Sequence, residues 1–504
     1  MPELRSDCST FVAALACAFV VSAAPARSQD AAAPLPAAEF TQRHARHLLE
    51  RAGFGGTPDE VRALHAKGLN DAVRSLVDYE SIPDAMPPHG VEPVRRPPQD
   101  VLRRMSAQER QRVQNQLQQT EQRNHTALRR WWLARMLTSP RPLEEKLTLF
   151  WHGHFTSAMR DVRNAYHMAM QNDLLREHAA SGFRRLLHEI ARDPAMLRYL
   201  NNDRNVRRAP NENYARELME LFTLGLDAYT EDDVKSAARA LTGFGLAEST
   251  FVFRPRDHDY GDKTLLGENG TFDGDDVVHV LLRQPAASRH LARRLLTWFA
   301  VEPTDAELAP YAELLLRSDY QLRPFLRTLF ASRWFHSERV VGQRIKGPVE
   351  LFVGFLRSGG ATSADLDMVA RLSDQLGQAL FDPPNVKGWD GGAAWITSSH
   401  LLGRANAIGT LLQDFARSRT TAGATPRGFA THELVASSVA TPLDPAAIVD
   451  ALTERFLAVP LERKNHATLV AFVADTKPTN ARQRAALLDE LLHLLCTTPE
   501  FQVH

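Results

Sequence analysis

The sequence predicts an all-α fold: a large multi-helix array or bundle with at most a short β-hairpin near 250–267. Three observations predict it. Apolar residues recur three and four apart through most of the chain, the spacing that gathers them on one helical face. Residues that start and stop helices stand at the ends of those runs. No run alternates with period two for long enough to build a sheet, and the one stretch that admits a hairpin is FVFRPRDHDYGDKTLLG.

Taken in order, the chain opens with Arg5 ahead of the apolar run FVAALACAFVVSAA, followed by PARSQDAAAPLPAA. A charged start, a short apolar core and small residues beyond it read as a secretory signal peptide over 1–28. The run is too short to span a bilayer comfortably, so the mature chain is expected to have no integral membrane span and to be periplasmic or secreted. Removing the leader also removes Cys8 and Cys17 and leaves Cys496 alone. An internal disulfide and a Cys-ligated zinc are thereby excluded in the mature chain.

An Ala/Pro-rich spacer fills 29–40, and a main helical domain is expected over 41–417. Its apolar periodicity marks helices at 41–52, 58–77, 127–137, 143–158, 164–192, 211–224 and 231–243. It continues at 285–299, 305–316, 320–335, 346–357, 363–380 and 400–417. Thr57-Pro58 with Glu60 has the form of a helix start, Asn211 can cap the helix that follows it, and Gly225 can end that one. Within this domain 81–126 reads as an insertion: the proline-rich SIPDAMPPHGVEPVRRPPQD, then a polar Gln-rich stretch suited to a solvated helix. A linker over 418–443 precedes a C-terminal helical subdomain at 444–504, with helices at 446–457 and 480–496.

With 504 residues, 44% of them hydrophobic and 24% charged, the chain has a globular composition. Sixty basic residues balance sixty acidic ones, so no net charge draws it to nucleic acid or anionic lipid.

Four stretches concentrate groups able to do chemistry. In LFWHGHFTS, at about 100° per residue, His154 falls in the apolar stripe with Phe150, Trp151 and Phe155, while His152 points roughly 160° away. On one helix the two cannot chelate one ion. Either His154 is a satisfied core histidine or it contributes one imidazole to a site built with distant partners. In NENYARELMELFTLG, Glu217 and Glu220 share a helical face at the edge of an apolar sector. They suit a divalent metal or general-base chemistry, and equally salt bridges to nearby Arg. The loop RPRDHDYGDKTLLG crowds Asp257, His258, Asp259, Asp262 and Lys263 together, although its spacing fails the EF-hand pattern. In LFDPPNVKGWDGGAAWI, Asn385 and Trp389 lie in a glycine-rich loop that reads as a ligand-binding platform or as an aromatic plug between helix layers. Nucleophile elbows, phosphate loops, dinucleotide fingerprints and the H-E-x-x-H zinc pattern are absent.

These motifs occur together and in order: HLLERAGFG, FWHGHF, NENYARELMELFTLG with YTEDDVKSAARALTGF, HDYGDKTLLG, and LFDPPNVKGWDGGAAWI. In that combination the chain closely resembles the bacterial DUF1800 family over roughly residues 41 to 415, and the resemblance is expected to extend to the C-terminal helices. Gly153 stands where relatives often carry Asn. The resemblance implies an exported helical protein of unassigned activity, whose genes often neighbour those of DUF1501 proteins, and hence a DUF1501-type partner. Because the polar residues fall within the motifs, it also raises the expectation of a shared polar site. In that site His154, Glu220 and His258 would ligate a divalent metal. Glu217 would be the general base and Lys263 an electrostatic stabiliser, with Asn385 and Trp389 bordering the substrate of a hydrolytic or oxidative step. The alternative is a non-enzymatic scaffold or chaperone for that partner, with the polar residues forming a buried hydrogen-bonded network.

Overall fold

The computed structural model describes residues 31–438 and 444–504, so the leader expected over 1–28 lies outside the described residues. Helices dominate. The strands form two separate two-stranded antiparallel sheets, Phe244–Ala247 with Thr250–Phe253, and Lys263–Leu265 with Glu268–Gly270. The single hairpin expected near 250–267 is thus replaced by two, which share the segment between them as a loop.

Local chemistry sets the helix boundaries. Thr57 caps Pro58–Ala66 reciprocally, its hydroxyl accepting from Glu60 N and its own N–H donating to the Glu60 carboxylate at 2.7 Å. Gly68, at φ 74°, breaks the expected 58–77 helix into Pro58–Ala66 and Leu69–Val77. Asn211 caps Glu212–Glu217 by accepting from Asn213 N at 2.9 Å. Residues 164–192, expected as one helix, divide into Ala165–Glu177 and Phe183–Ile190. Several helices had no counterpart in the periodicity, among them Pro194–Tyr199, Gly274–Arg283, Thr431–Ala436 and Arg463–Asp475.

The helix Pro142–His154 sits between two apolar cores. Leu143, Leu147, Phe150 and Trp151 pack into one, with residues from the N-terminal helices and from 175–340; Leu149 packs into the other. A helix with core on all sides is buried throughout, so both His152 and His154 are buried although they point in opposite directions. The second core joins Leu128–Leu137, Val349–Phe381 and the C-terminal helices. Phe355 meets Phe456 at 5.5 Å and Phe501 at 6.2 Å between ring centroids. The C-terminal helices therefore share a core with the body of the chain, and Ser398–Thr420 runs past the expected boundary at 417.

The other expected spacers are also docked. Leu35 N donates to Ala331 O at 2.8 Å, and Tyr311 Oη to Ala31 O at 2.9 Å. The proline-rich part of the 81–126 insertion is pinned by Trp131 Nε1 to Pro87 O at 2.7 Å and by Arg135 to Asp84 at 2.9 Å. Ala107–Thr138 forms one 32-residue helix, whose Gln-rich first half is largely exposed and whose second half enters the core. Among the described residues no helix is long and apolar enough to cross a membrane.

Candidate functional site

Glu212–Glu217 is α-helical, but the next turn, Leu218–Thr223, widens into a π-helix. Leu224 N reaches back five residues to Met219 O at 2.8 Å, and the Thr223 hydroxyl donates to Leu218 O at 2.6 Å. The segment then stops, leaving its last carbonyls without helical partners. Two imidazoles from other helices meet that need: His154 Nε2 reaches Phe222 O at 3.1 Å and His290 Nε2 reaches Leu221 O at 2.9 Å. A carbonyl only accepts, so both rings carry their proton on Nε2. Burial, reinforced by Arg294 and His290, holds His154 well below the ordinary histidine range, and its Nδ1 is buried without a partner.

His152 faces the second core, among Trp132, Phe381 and Trp389, and its Nε2 accepts from Phe381 N at 3.2 Å. Burial pulls it down to about 3. Gly153, between the two histidines, has a packing role. The Trp389 ring lies 3.6 Å from where a Cβ on Gly153 would stand, and a Cβ on Gly388 would come within 2.5 Å of the Gly153 carbonyl. Gly388 also has φ 88°, which favours glycine. The PNVKGW loop is therefore laid onto the helix end through two glycines. Asn385 fixes its turn, its side chain accepting from Lys387 N at 2.8 Å while its carbonyl accepts from Gly388 N at 3.1 Å. Trp389 is half-buried against the second core, with a buried Nε1 that has no partner.

The HDYGDK segment is a closed clamp. His258 Nδ1 bonds Thr242 O at 2.8 Å, with Phe253 and Tyr260 edge-on to the ring. Asp259 pairs with Arg239 at 2.7 Å, and that guanidinium holds its carboxyl down at about 2. Lys263, only 2% exposed, donates to the carbonyls of Asp259 at 2.6 Å and Gly261 at 3.0 Å. The ammonium expected to stabilise a reacting group thus holds its own loop together.

The expected metal ligands are not gathered. His154 and His258 each use a ring nitrogen on a main-chain carbonyl, and Glu220 accepts from Tyr229 Oη at 2.8 Å. Among the described residues no group of three or more His, Cys, Asp or Glu side chains is placed to hold a metal ion. What the structure does bring together is Glu217, Glu220 and Lys387. The half-buried Glu217 carboxyl is pushed above its usual range by burial and then by Glu220, while Arg216 and Lys387 oppose the rise. Among the described residues the Glu217 carboxyl has no hydrogen-bond or ion-pair partner. The same neighbourhood includes Tyr199, whose hydroxyl is pushed up to about 12, mainly by burial and with a contribution from Glu217.

The arrangement can present a polarised carboxyl beside an exposed ammonium and an aromatic edge, a combination suited to recognising a charged partner surface or to moving a proton. Reading the sequence missed Lys387, although it stands two residues from both Asn385 and Trp389, and His290, which carried no local signal. A family model described as "Protein of unknown function (DUF1800)" matches residues 47–503. No curated protein and no solved structure matches the chain.

Proposed function

Because the chain belongs to the DUF1800 family over residues 47–503, whose description carries no reaction, we propose its function from its own geometry: a non-enzymatic assembly factor of the cell envelope. In this reading the chain is exported by its leader and binds a DUF1501-type protein through the face formed by Glu217, Glu220, Lys387, Asn385 and Trp389. One observation carries it. The imidazoles and the lysine that chemistry would use are committed to main-chain carbonyls, whereas the half-buried Glu217 carboxyl and the exposed Lys387 ammonium have no hydrogen-bond or ion-pair partner among the described residues. Polar groups committed in this way fix helix ends and loops, as buried polar networks do when they specify one packing.

A second reading has one observation in its favour. A half-buried carboxyl raised by burial and a neighbouring carboxylate is the form a general acid or base takes, so Glu217 would carry a proton in a hydrolytic step. Co-expression with a DUF1501-type protein separates the two. The assembly reading expects one co-eluting complex that Glu217→Gln weakens. A chain that stays monomeric beside that protein and hydrolyses an envelope substrate on its own, with loss of turnover in Glu217→Gln, would overturn it.

A further inference from the structure

Away from the face described above, two helix ends of opposite polarity line one cavity of about 250 Å³. One is the start of Gln42–Ala52, which supplies Arg43 and, a turn later, Arg46. The other is the last turn of Pro445–Phe456, which supplies Thr453 and Glu454. A helix start presents unpaired N–H groups and partial positive charge, and a helix end presents unpaired carbonyls and partial negative charge. Between them, the buried Val61, Leu457 and Ala458 give the cavity an apolar wall.

The side chains repeat this polarity. Arg43 is spent on Glu338 at 2.9 Å, and Arg455 turns its guanidinium away to Ser358 O at 3.1 Å. That leaves one charge of each sign facing the cavity, Arg46 and Glu454. Among the described residues neither has an ion-pair partner, and they do not pair with each other. Arg46 is only 9% exposed, and its one hydrogen bond runs from Nη1 to Arg455 O at 3.3 Å. Its Nε and Nη2 have no acceptor among the described residues, and together they form an edge that can hold a carboxylate through two parallel bonds. Thr453 Oγ1 is buried beside the same cavity with no partner. Glu454 is exposed.

This pattern selects among occupants. Water supplies hydrogen bonds but no counter-charge for a guanidinium that is largely buried. A simple anion answers Arg46 and then faces Glu454, and a simple cation has the converse fault. A small zwitterion with an apolar body answers both charges and covers the wall. The volume lies just below the range usual for drug-sized ligands, which keeps that body small.

We propose that this cavity binds a free α-amino acid with an apolar side chain. Arg46 takes the carboxylate, with the Thr453 hydroxyl donating to it, and Glu454 takes the ammonium beside the helix end. Titration calorimetry of the full chain at neutral pH tests it with four probes. They are leucine, glycine, 4-methylpentanoate (leucine without its ammonium) and leucinamide (leucine without its carboxylate). Leucine binds saturably, and each of the other three binds about tenfold or more weakly, the factor that one lost charged hydrogen bond or one unfilled apolar wall gives. Glu454→Gln brings 4-methylpentanoate level with leucine, and Arg46→Lys, which keeps the charge but not the fork, weakens leucine. If Arg46→Lys does not fold, Glu454→Gln, at an exposed position, decides. The proposal is overturned if leucine gives no saturable heat, if any of the other three probes matches it, or if Glu454→Gln keeps the wild-type preference.

Discussion

Asp193 provides a quantitative test of how this interior handles charge. It is 2% exposed and caps the helix Pro194–Tyr199, its Oδ2 accepting from Met196 N at 2.7 Å and from Gln171 Nε2 at 2.8 Å. No cation pairs with it, and both its Oδ1 and the Gln171 Oε1 are buried without partners. Burial raises its carboxyl from 3.8 to about 7, against the hydrogen bonds from Met196 and Gln171. An acid whose folded value is raised contributes stability below its unfolded value and loses it as pH climbs toward the folded one. The gap of about three pH units, at about 1.4 kcal/mol each, sets an upper limit of about 4 kcal/mol lost between pH 4 and 7. Asn at this position keeps the cap oxygen and cannot ionise. Urea titrations of Asp193→Asn and wild type from pH 5.5 to 8, where both remain folded, measure the difference, in which the histidines cancel because both proteins share them. The variant should gain on the wild type steadily up to pH 7 and then hold a constant lead of about 1–4 kcal/mol. A variant less stable than wild type at pH 8, or a difference that does not change with pH, refutes the reasoning.

Other expected outcomes rest on the same geometry. His47, His152, His154, His336 and His504 are all held neutral by burial. Such groups lose stability as pH falls below 6.5, each by up to about 2 kcal/mol at pH 5. Together they approach a typical domain's whole stability, so circular dichroism should record cooperative unfolding near pH 5, and a fold unchanged to pH 4 would contradict it. His154→Leu strands the Phe222 carbonyl and should cost about 1–3 kcal/mol in denaturant melts. His154→Gln, which can still donate, should recover part of that loss. Gly388→Ala combines a left-handed φ with a 2.5 Å approach to the Gly153 carbonyl and should cost about 2 kcal/mol or more in the same assay.

Periodicity made the helical architecture legible because most helices bury one stripe, and the caps at Thr57 and Asn211 marked true starts. It failed where the stripe disappears. Pro142–His154 is buried on every side, so placing His152 roughly opposite His154 gave the right geometry without revealing that both are buried. The π-turn at Leu218–Thr223 follows from how the segment ends against neighbouring helices, and no local spacing encodes it. The histidine partners were hidden for a similar reason. They are main-chain carbonyls 68 residues from His154 and 16 from His258, and a carbonyl leaves no trace in residue identity. Gly153 shows the converse, since its meaning lies in Trp389 and Gly388, which reach it from another part of the chain. Of the expected site residues, Glu217 lies within electrostatic reach of Lys387, two residues before Trp389 in the chain, and His258 and Lys263 belong to the separate clamp.

The central claim is that the histidines hold the fold while the Glu217–Lys387 face does the binding. Titration calorimetry with the DUF1501-type protein tests it directly, alongside melting of each variant. Glu217→Gln and Lys387→Gln should weaken binding by about tenfold or more without lowering Tm, and His154→Gln should lower Tm while leaving affinity intact. Unchanged affinity in both surface variants, or a loss of affinity in His154→Gln greater than in Glu217→Gln, would contradict the account.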